Sequence, residues 1–347
     1  PQIKWQVQLF WQLKINPASH KQVKAFLKEK LSVELESSDV SVLESYRGNK
    51  WVDLILDFRE SSKRATTYGR SLLNTYVERG KIWANFNVSG AETGRMSSSS
   101  VNLQNIPATT EYRECFTASP GYELVVADYA AQEPRILAAL SGDVELIDIF
   151  KKKENVHLEV ARTVFGNPAL TKKDVDLYRQ GKVVNLAMMY GMTAFGLAKR
   201  LGIEESDAKR YIESYFSRFW GVSRWIPQQR IDARDAGYIR TWGGRYVWIN
   251  PYMRLWGNNA VNAPIQGSAA DVTKRALGLL HKKFSGQKYP VVATVHDEIV
   301  CDVPKKEVKK FIPIFRECLL KAFSDIVPNV AGGVEVGHGK NWAVAKQ

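Results

Sequence analysis

Two short apolar runs in this chain end on carboxylates: Val125-Val126-Ala127-Asp128-Tyr129 and Val295-His296-Asp297-Glu298-Ile299. Each reads as a buried strand whose terminal Asp projects into solvent while the strand stays dry. Brought side by side, the two ends would make a dicarboxylate site for a divalent cation, the minimum equipment for two-metal phosphoryl transfer. Mg²⁺ takes only one or two protein carboxylates and keeps positions for water and substrate phosphates, so Asp128 and Asp297 would suffice. The backbone carbonyl of Tyr129 would add a further oxygen. Between the runs lies Tyr178-Arg179-Gln180-Gly181-Lys182-Val183-Val184-Asn185-Leu186-Ala187-Met188-Met189-Tyr190-Gly191. On a helix, Arg179, Lys182, Leu186 and Tyr190 are spaced by three, four and four and share one face. That stripe runs from cationic through apolar to aromatic, as a nucleoside triphosphate runs from phosphates through sugar to base. Taken alone, the stripe equally suits an amphipathic helix with a core tyrosine, and a lone strand-end Asp is most often structural. The combination points to an enzyme that joins nucleotides.

The elements that must position these groups follow from periodicity. Residues 18–33 read as an amphipathic helix on Val23, Phe26, Leu27 and Leu31, and 39–76 as a second, with a break suggested by Gly48. Thr93 to Pro107 reads as an extended loop anchored by Leu103 and Ile106. A strand is expected over 122–128 and a helix over 130–140. From about 142 to 284 the pattern is mainly helical. Thr171-Lys172-Lys173-Asp174 resembles a capping box ahead of the helix that carries Lys182. Gly237, Gly243 and Gly244 surround a Tyr/Trp/Val-rich stretch that reads as a hairpin, and 267–284 reads as a helix. Residues 290–303 are β-rich on both sides of His296-Asp297-Glu298, which places that tripeptide at a hairpin tip. A helix over 305–323 and a strand over 330–337 complete the chain, and no internal repeat is present. Strands, a helical insert and strands again make an α+β arrangement, an antiparallel sheet split in sequence by a helical lobe.

At 347 residues the chain has length enough for a sizeable core and more than one lobe. Its net charge of +13 favours a polyanionic partner, nucleic acid before membrane, because no long apolar span accompanies it. Cys115, Cys301 and Cys318 are too few and too scattered for a disulfide framework or a zinc site. An intracellular setting is expected, whether cytoplasm, nucleoid or an infected host cell. Pro1 to Gln8 has its apolar positions broken by Gln and no small-residue cleavage site, so it does not read as a signal peptide. Without an initiator Met, the chain reads as a piece of something longer.

Five collinear segments give the chain a specific resemblance. Thr93-Gly94-Arg95-Met96-Ser97-Ser98 with Asn102-Leu103-Gln104-Asn105-Ile106-Pro107 is one; Asp128-Tyr129 through Glu133, Arg135 and Leu140-Ser141-Gly142-Asp143 is the second. Lys182, Asn185, Tyr190 and Gly191 form the third, Gln266-Gly267-Ser268-Ala269-Ala270-Asp271 the fourth, and Val295-His296-Asp297-Glu298 the fifth. In these the chain resembles the family A DNA polymerases, the DNA polymerase I type, from about residue 90 onward and more weakly before it. The resemblance implies a right-hand fold: an antiparallel palm sheet (76–130 and 285–347), helical fingers (131–284) and a partial helical thumb (1–75). It implies DNA-templated addition of dNTPs to a primer 3′-hydroxyl with release of pyrophosphate, by a monomer that takes primer-template DNA and uses two Mg²⁺ ions, with Mn²⁺ as a substitute. Asp128 and Asp297 would hold the metals. Lys182 would grip the triphosphate, with His157 as a second phosphate contact. Glu133 would exclude a 2′-hydroxyl and bond Tyr190, which would stack near the template base. Arg95 and Gln266 would reach minor-groove acceptors, which every Watson–Crick pair presents. Gln104, Asn105 and Asn262 are further DNA-contact candidates, His296 and Glu298 would sit beside the primer terminus, and Asp143 and Asp271 would be structural.

Departures from the family pattern are informative. The run after Asp128-Tyr129 is Ala130-Ala131-Gln132-Glu133-Pro134-Arg135, which keeps the Glu and the Arg. Tyr178 stands where the family has an Arg, with Arg179 one place later as its expected replacement. Leu186 replaces an aromatic residue; non-aromatic residues there occur among phage-encoded members, which raises a phage origin and altered discrimination against dideoxynucleotides. Asn258 stands where many members place an Arg. A catalytically silent DNA-binding subunit is disfavoured by retention of Asp128, Asp297, Lys182, Glu133 and Tyr190. Glu133 argues against ribonucleotide incorporation and leaves an RNA template open.

Overall fold

The computed structural model describes residues 8–253, 255–286 and 289–346. Chain contacts divide it into two units, one ending at Asn85 and one beginning at Phe86. The reading of Pro1 to Gln8 falls, except for Gln8, outside the described residues.

In the first unit, helix α1 (His20–Leu31) is capped by Ser19, whose hydroxyl accepts from Gln22 N. The single helix expected over 39–76 is instead three: α2 (Val40–Leu43), α3 (Lys50–Tyr68) and α4 (Arg70–Tyr76). Gly48, at φ +91°, supplies the first break, and Asn49 caps α3 through Trp51 N. Val23, Leu27, Leu43, Val52 and Ile55 are fully buried and form this unit's own core. A short ribbon of β1 (Val77–Glu78) and β2 (Lys81–Ile82) follows.

The second unit begins with a ribbon of β3 (Asn85–Asn87) and β4 (Ser97–Ser99) and the short α5 (Thr110–Arg113). Strand β5 (Tyr122–Tyr129) then enters the core. Among the described residues, eight helices and a hairpin intervene before the chain returns to that sheet: α6 (Gln132–Ser141), α7 (Val144–Lys151), α8 (Val156–Val164), α9 (Val175–Met189), α10 (Ala194–Leu201), α11 (Glu205–Arg218), α12 (Trp220–Ala236) and, after the hairpin of β6 (Tyr238–Arg240) and β7 (Tyr246–Trp248), α13 (Trp256–Phe284) make up this insert. Strands β8 (Val291–Val295) and β9 (Glu298–Pro304), helix α14 (Val308–Ile326), strand β10 (Val334–Gly339) and α15 (Trp342–Ala345) close the chain. The four-stranded sheet has the order β10-β5-β9-β8 and is antiparallel throughout, so the α+β expectation holds.

The two central strands, β5 and β9, are buried along most of their length. Val125, Ala127, Ile299 and Cys301 pack with Phe311, Phe315 and Leu319 of α14, and the Tyr129 hydroxyl donates to Leu319 O at 2.9 Å. Helix α13 starts 11 residues before the expected 267, since 267 − 256 = 11. Three asparagines and Pro264 in that stretch have weak helix propensity. Packing overrides them: Val261, Ala263 and Ile265 are buried, and Pro264 O, still an acceptor, takes the Ser268 hydroxyl at 2.6 Å. No helix among the described residues is long and apolar enough to cross a membrane.

Candidate active site

Register brings the two aspartates together. In the β5–β9 pairing Asp128 lies opposite Glu298, and in the β8–β9 pairing Val295 lies opposite Glu298. His296 and Asp297 are therefore the two residues of the hairpin turn, beyond the end of the ladder and beside Asp128. The turn forces His296 into the left-handed region at φ +56°, and Ala131, the N-cap of α6 just past the end of β5, sits there too at φ +51°. Two non-glycine residues in that region within one site mark strain held by the surrounding fold.

The electrostatics carry the same mark. Burial, and then the charge of Asp128, push the Asp297 carboxyl up to about 7. Asp128 Oδ1 is buried with no hydrogen-bond partner, and Lys346 donates to Oδ2. An orphaned carboxylate oxygen beside a second strained carboxylate is a donor set suited to a divalent cation. Among the described residues no three His, Cys, Asp or Glu side chains form a protein cage, and Mg²⁺ needs none when water and phosphate complete its shell.

Next to this pair opens a cavity of about 250 Å³ lined by Arg95, Met96, Gln104, Gln132, Glu133, Ala269, Ala270, Thr273, His296 and Asp297. Glu133, in the first turn of α6, is held from both sides: Arg95 donates to Oε1 and the Tyr190 hydroxyl donates to Oε2. Burial, and then Glu133, hold the Tyr190 phenol well above its usual range. Arg95 itself is placed by a close approach. Gly94, at φ +79°, lies against the Arg245 guanidinium where no Cβ fits, and Arg245 is fixed by Asp271, which also accepts from Thr241 Oγ1 at 2.6 Å. The Asp143 carboxylate caps α7 through Leu146 N and accepts from Gly221 N at 2.8 Å, so it is a structural group.

Helix α9 presents the expected face, with Arg179, Lys182 and Leu186 on it and Tyr190 at its C-cap. Its start differs from expectation. Asp174, not Thr171, is the N-cap residue, and its carboxylate turns back to accept from Thr171 N at 2.8 Å, the reciprocal half of a capping box with the helix begun three residues later. Lys182 is exposed, and Arg179 reaches solvent with only a 3.9 Å approach to Asp176. His157 on α8 is half-buried, and burial, then Lys182, bring its imidazole down to about 4, so it is neutral. The Tyr215 hydroxyl takes Asn185 Oδ1, so the Asn185 amide nitrogen faces His157 Nδ1 at 3.0 Å. That arrangement puts the imidazole proton on Nε2.

The other residues expected at DNA lie on several elements of this unit. Glu298, expected beside the primer terminus, is 3% exposed and lies directly across the ladder from Asp128, where Trp342 Nε1 and Lys346 donate to it and Arg113 approaches at 3.4 Å, so its carboxylate is engaged inside the protein. Gln266 and Asn262 both lie on α13 and are half-buried, Asn262 with an unpartnered Oδ1. Gln104 lines the cavity, Asn105 is exposed, and His296 is exposed at the hairpin tip.

Two cations were not foreseen. Lys346 bridges Asp128 and Glu298; burial opposes its charge, but the two carboxylates hold its ammonium above the usual range. Arg230 of α12 lies beside Gly191 and Asn258, close enough that a Cβ at Gly191 would meet its Nη2 at 2.9 Å. Its guanidinium reaches this place from another helix than the one that carries Asn258. No local motif announces either residue; each acts through tertiary position.

A family model for DNA polymerase family A matches residues 2–344. DNA polymerase I of Pseudomonas aeruginosa is 38% identical over 303 residues, 83% of this chain and 33% of that relative. Thermostable DNA polymerase I of Thermus filiformis is 36% identical over 325 residues, 90% of this chain and 38% of that one. The chain thus spans little more than a third of these curated relatives. Among solved structures, the POL domain of Pol1 from M. smegmatis, in complex with DNA primer-template and dNTP, superposes with a TM-score of 0.89 at 33% identity, over 100% of this chain and 65% of that one. With the family model matched along nearly its whole length, the chain belongs to DNA polymerase family A.

Proposed function

We propose that this chain catalyses DNA-templated DNA synthesis, adding dNTPs to a primer 3′-hydroxyl with release of pyrophosphate. The observation that carries this reading is the register that sets Asp128 and Asp297 side by side at the mouth of the Arg95–Glu133–Tyr190 cavity. Family membership implies divalent metal cofactors. Bound at Asp128, Asp297 and the Tyr129 carbonyl, two Mg²⁺ ions (or Mn²⁺) would favour the attacking alkoxide and neutralise the departing pyrophosphate.

The protein's own groups do the rest by positioning. Lys182 takes the triphosphate, Arg179 swings in from the outer end of the same face, and neutral His157 donates from Nε2. Glu133, fixed by Arg95 and Tyr190, stands over C2′ and leaves no room for a ribose hydroxyl. Leu186 packs on the sugar and Tyr190 on the template-side base. Arg95 and Gln266, with Gln104, Asn105 and Asn262, donate to the minor groove, and His296 lies at the primer end. Glu298 acts through Lys346 as a positioning residue. Arg230 serves the template in place of the missing family arginine. In this reading residues 1–75 are a partial thumb, 76–130 and 285–347 the palm, and 131–284 the fingers.

Primer extension with Mg²⁺, alongside a DNA-binding titration, tests the proposal. Asp128→Ala and Asp297→Ala should each abolish extension and leave much of the DNA binding intact. A fully active Asp297→Ala enzyme would refute it.

A further inference from the structure

The β6–β7 hairpin has two faces of opposite character. Ile239 and Val247 form one cross-strand pair and point inward, where with Ile249 they meet Ala233 of α12 and Ala260 and Ala263 of α13. This burial anchors the hairpin. The outward face consists of the pairs Tyr238–Trp248 and Arg240–Tyr246. Its rings form one arc, with centroids 5.0 Å apart for Tyr238–Tyr246 and 5.8 Å apart for Tyr238–Trp248, and the Arg240 guanidinium lies 5.1 Å over the Tyr246 ring.

Cross-strand aromatic pairs stabilise a hairpin by covering one another. Here that cover is partial: Trp248 is 77% exposed and Tyr246 52%. The turn after the hairpin leaves Tyr252 almost wholly in solvent as well. Packing of this chain therefore leaves most of Trp248 and half of Tyr246 open to a ligand.

We propose that this face is a stacking platform for single-stranded nucleic acid, with bases on Trp248 and Tyr246 and a phosphate at Arg240. Rings interleaved with a cation are what an unpaired strand requires, because every base has a π-face and every linkage a negative charge. The face carries no acidic side chain, and the chain's net charge of +13 draws a polyanion to it. An apolar protein partner would have to bury Arg240 without a counter-charge, which disfavours it. The inference rests on the polymerase reading only for the identity of the strand, the unpaired template arm of a primer-template.

The test is fluorescence anisotropy of labelled primer-templates, blunt or with a ten-nucleotide 5′ overhang, on the full chain and its variants. Trp248→Leu and Tyr246→Leu keep apolar volume for the hairpin and remove the π-face; Trp248→Phe restores one. Each Leu variant should weaken overhang binding between about fivefold and about a hundredfold. Blunt-duplex binding should not follow, and Phe should recover most of the loss. Equal overhang affinity in wild type and both Leu variants overturns the proposal, as does a parallel loss on blunt DNA. Trp248-dependent self-association in sedimentation, with no overhang effect, assigns the face to a protein contact and also overturns it. Should the wild type extend no primer yet bind overhangs through Trp248, the platform stands and the polymerase reading falls.

Discussion

Asp297→Asn should make the metal-free protein more stable at pH 8 and unable to use Mg²⁺. The carboxyl is pushed up to about 7 from its ordinary 3.8 by burial and by Asp128. A carboxyl shifted upward contributes stability that is fully present below about 3.8 and is lost as pH rises through about 7, because the folded state binds the proton more tightly than the unfolded chain. The full difference corresponds to about 4 kcal/mol at most. Lys346 beside the pair and solvent at the hairpin tip reduce it, so about 1–2 kcal/mol is expected from an uncharged isostere at pH 8. The gain should vanish near pH 4, where wild-type Asp297 is itself neutral. Urea unfolding in EDTA at both pH values reads the effect as a shift in midpoint at constant slope. Added Mg²⁺ should stabilise the wild type and narrow the gap, since a ligand bound only by the folded state adds to its stability. If Asp297→Asn is instead less stable than wild type at pH 8, the carboxylate is a structural anchor and the strained-pair account fails. Stability gained on removing a functional charge is the expected signature of a site selected for activity.

Two other substitutions probe the helix that carries Lys182. Gly181→Ala would place a Cβ 2.5 Å from the Ala161 Cβ and 2.8 Å from its Cα, where backbone cannot yield. The usual helix gain of alanine is outweighed, and we expect a net loss of about 1–3 kcal/mol by urea unfolding, with weaker dNTP binding as α9 shifts from α8. Leu186→Phe should change the ratio of deoxy- to dideoxynucleotide incorporation in single-turnover assays; an unchanged ratio would remove Leu186 from the sugar contact.

Much of the site could be read in the amino-acid order because its elements are strongly periodic. The runs ending at Asp128 and Asp297 are continuous apolar strands, and the Arg179–Lys182–Leu186 face sits on a helix of 15 residues. The hairpin around Gly243 and Gly244 was equally plain, since alternation and turn residues agree there. What escaped has a physical cause in each case. The start of α13 was hidden by Asn and Pro residues whose weak propensity burial overrides. Glu298 was misplaced because its partners come from elsewhere in the chain: its place across from Asp128 and against Trp342 and Lys346 exists only once the sheet has formed. Arg113, Trp342 and Lys346 were invisible because 185 or more residues separate Arg113 from Glu298 and 218 separate Lys346 from Asp128. Only the completed sheet brings them together. Arg230 escaped for the same reason, reaching Gly191 and Asn258 from α12.

Mn²⁺ binding followed by electron paramagnetic resonance, on the wild type and on Asp128→Ala and Asp297→Ala, addresses the pairing of these two carboxylates most directly. With primer-template and a non-hydrolysable dNTP present, the wild type should take up Mn²⁺ that either substitution greatly weakens. Wild-type uptake unchanged in both variants would mean that Asp128 and Asp297 hold no cation, and the site as described would be wrong.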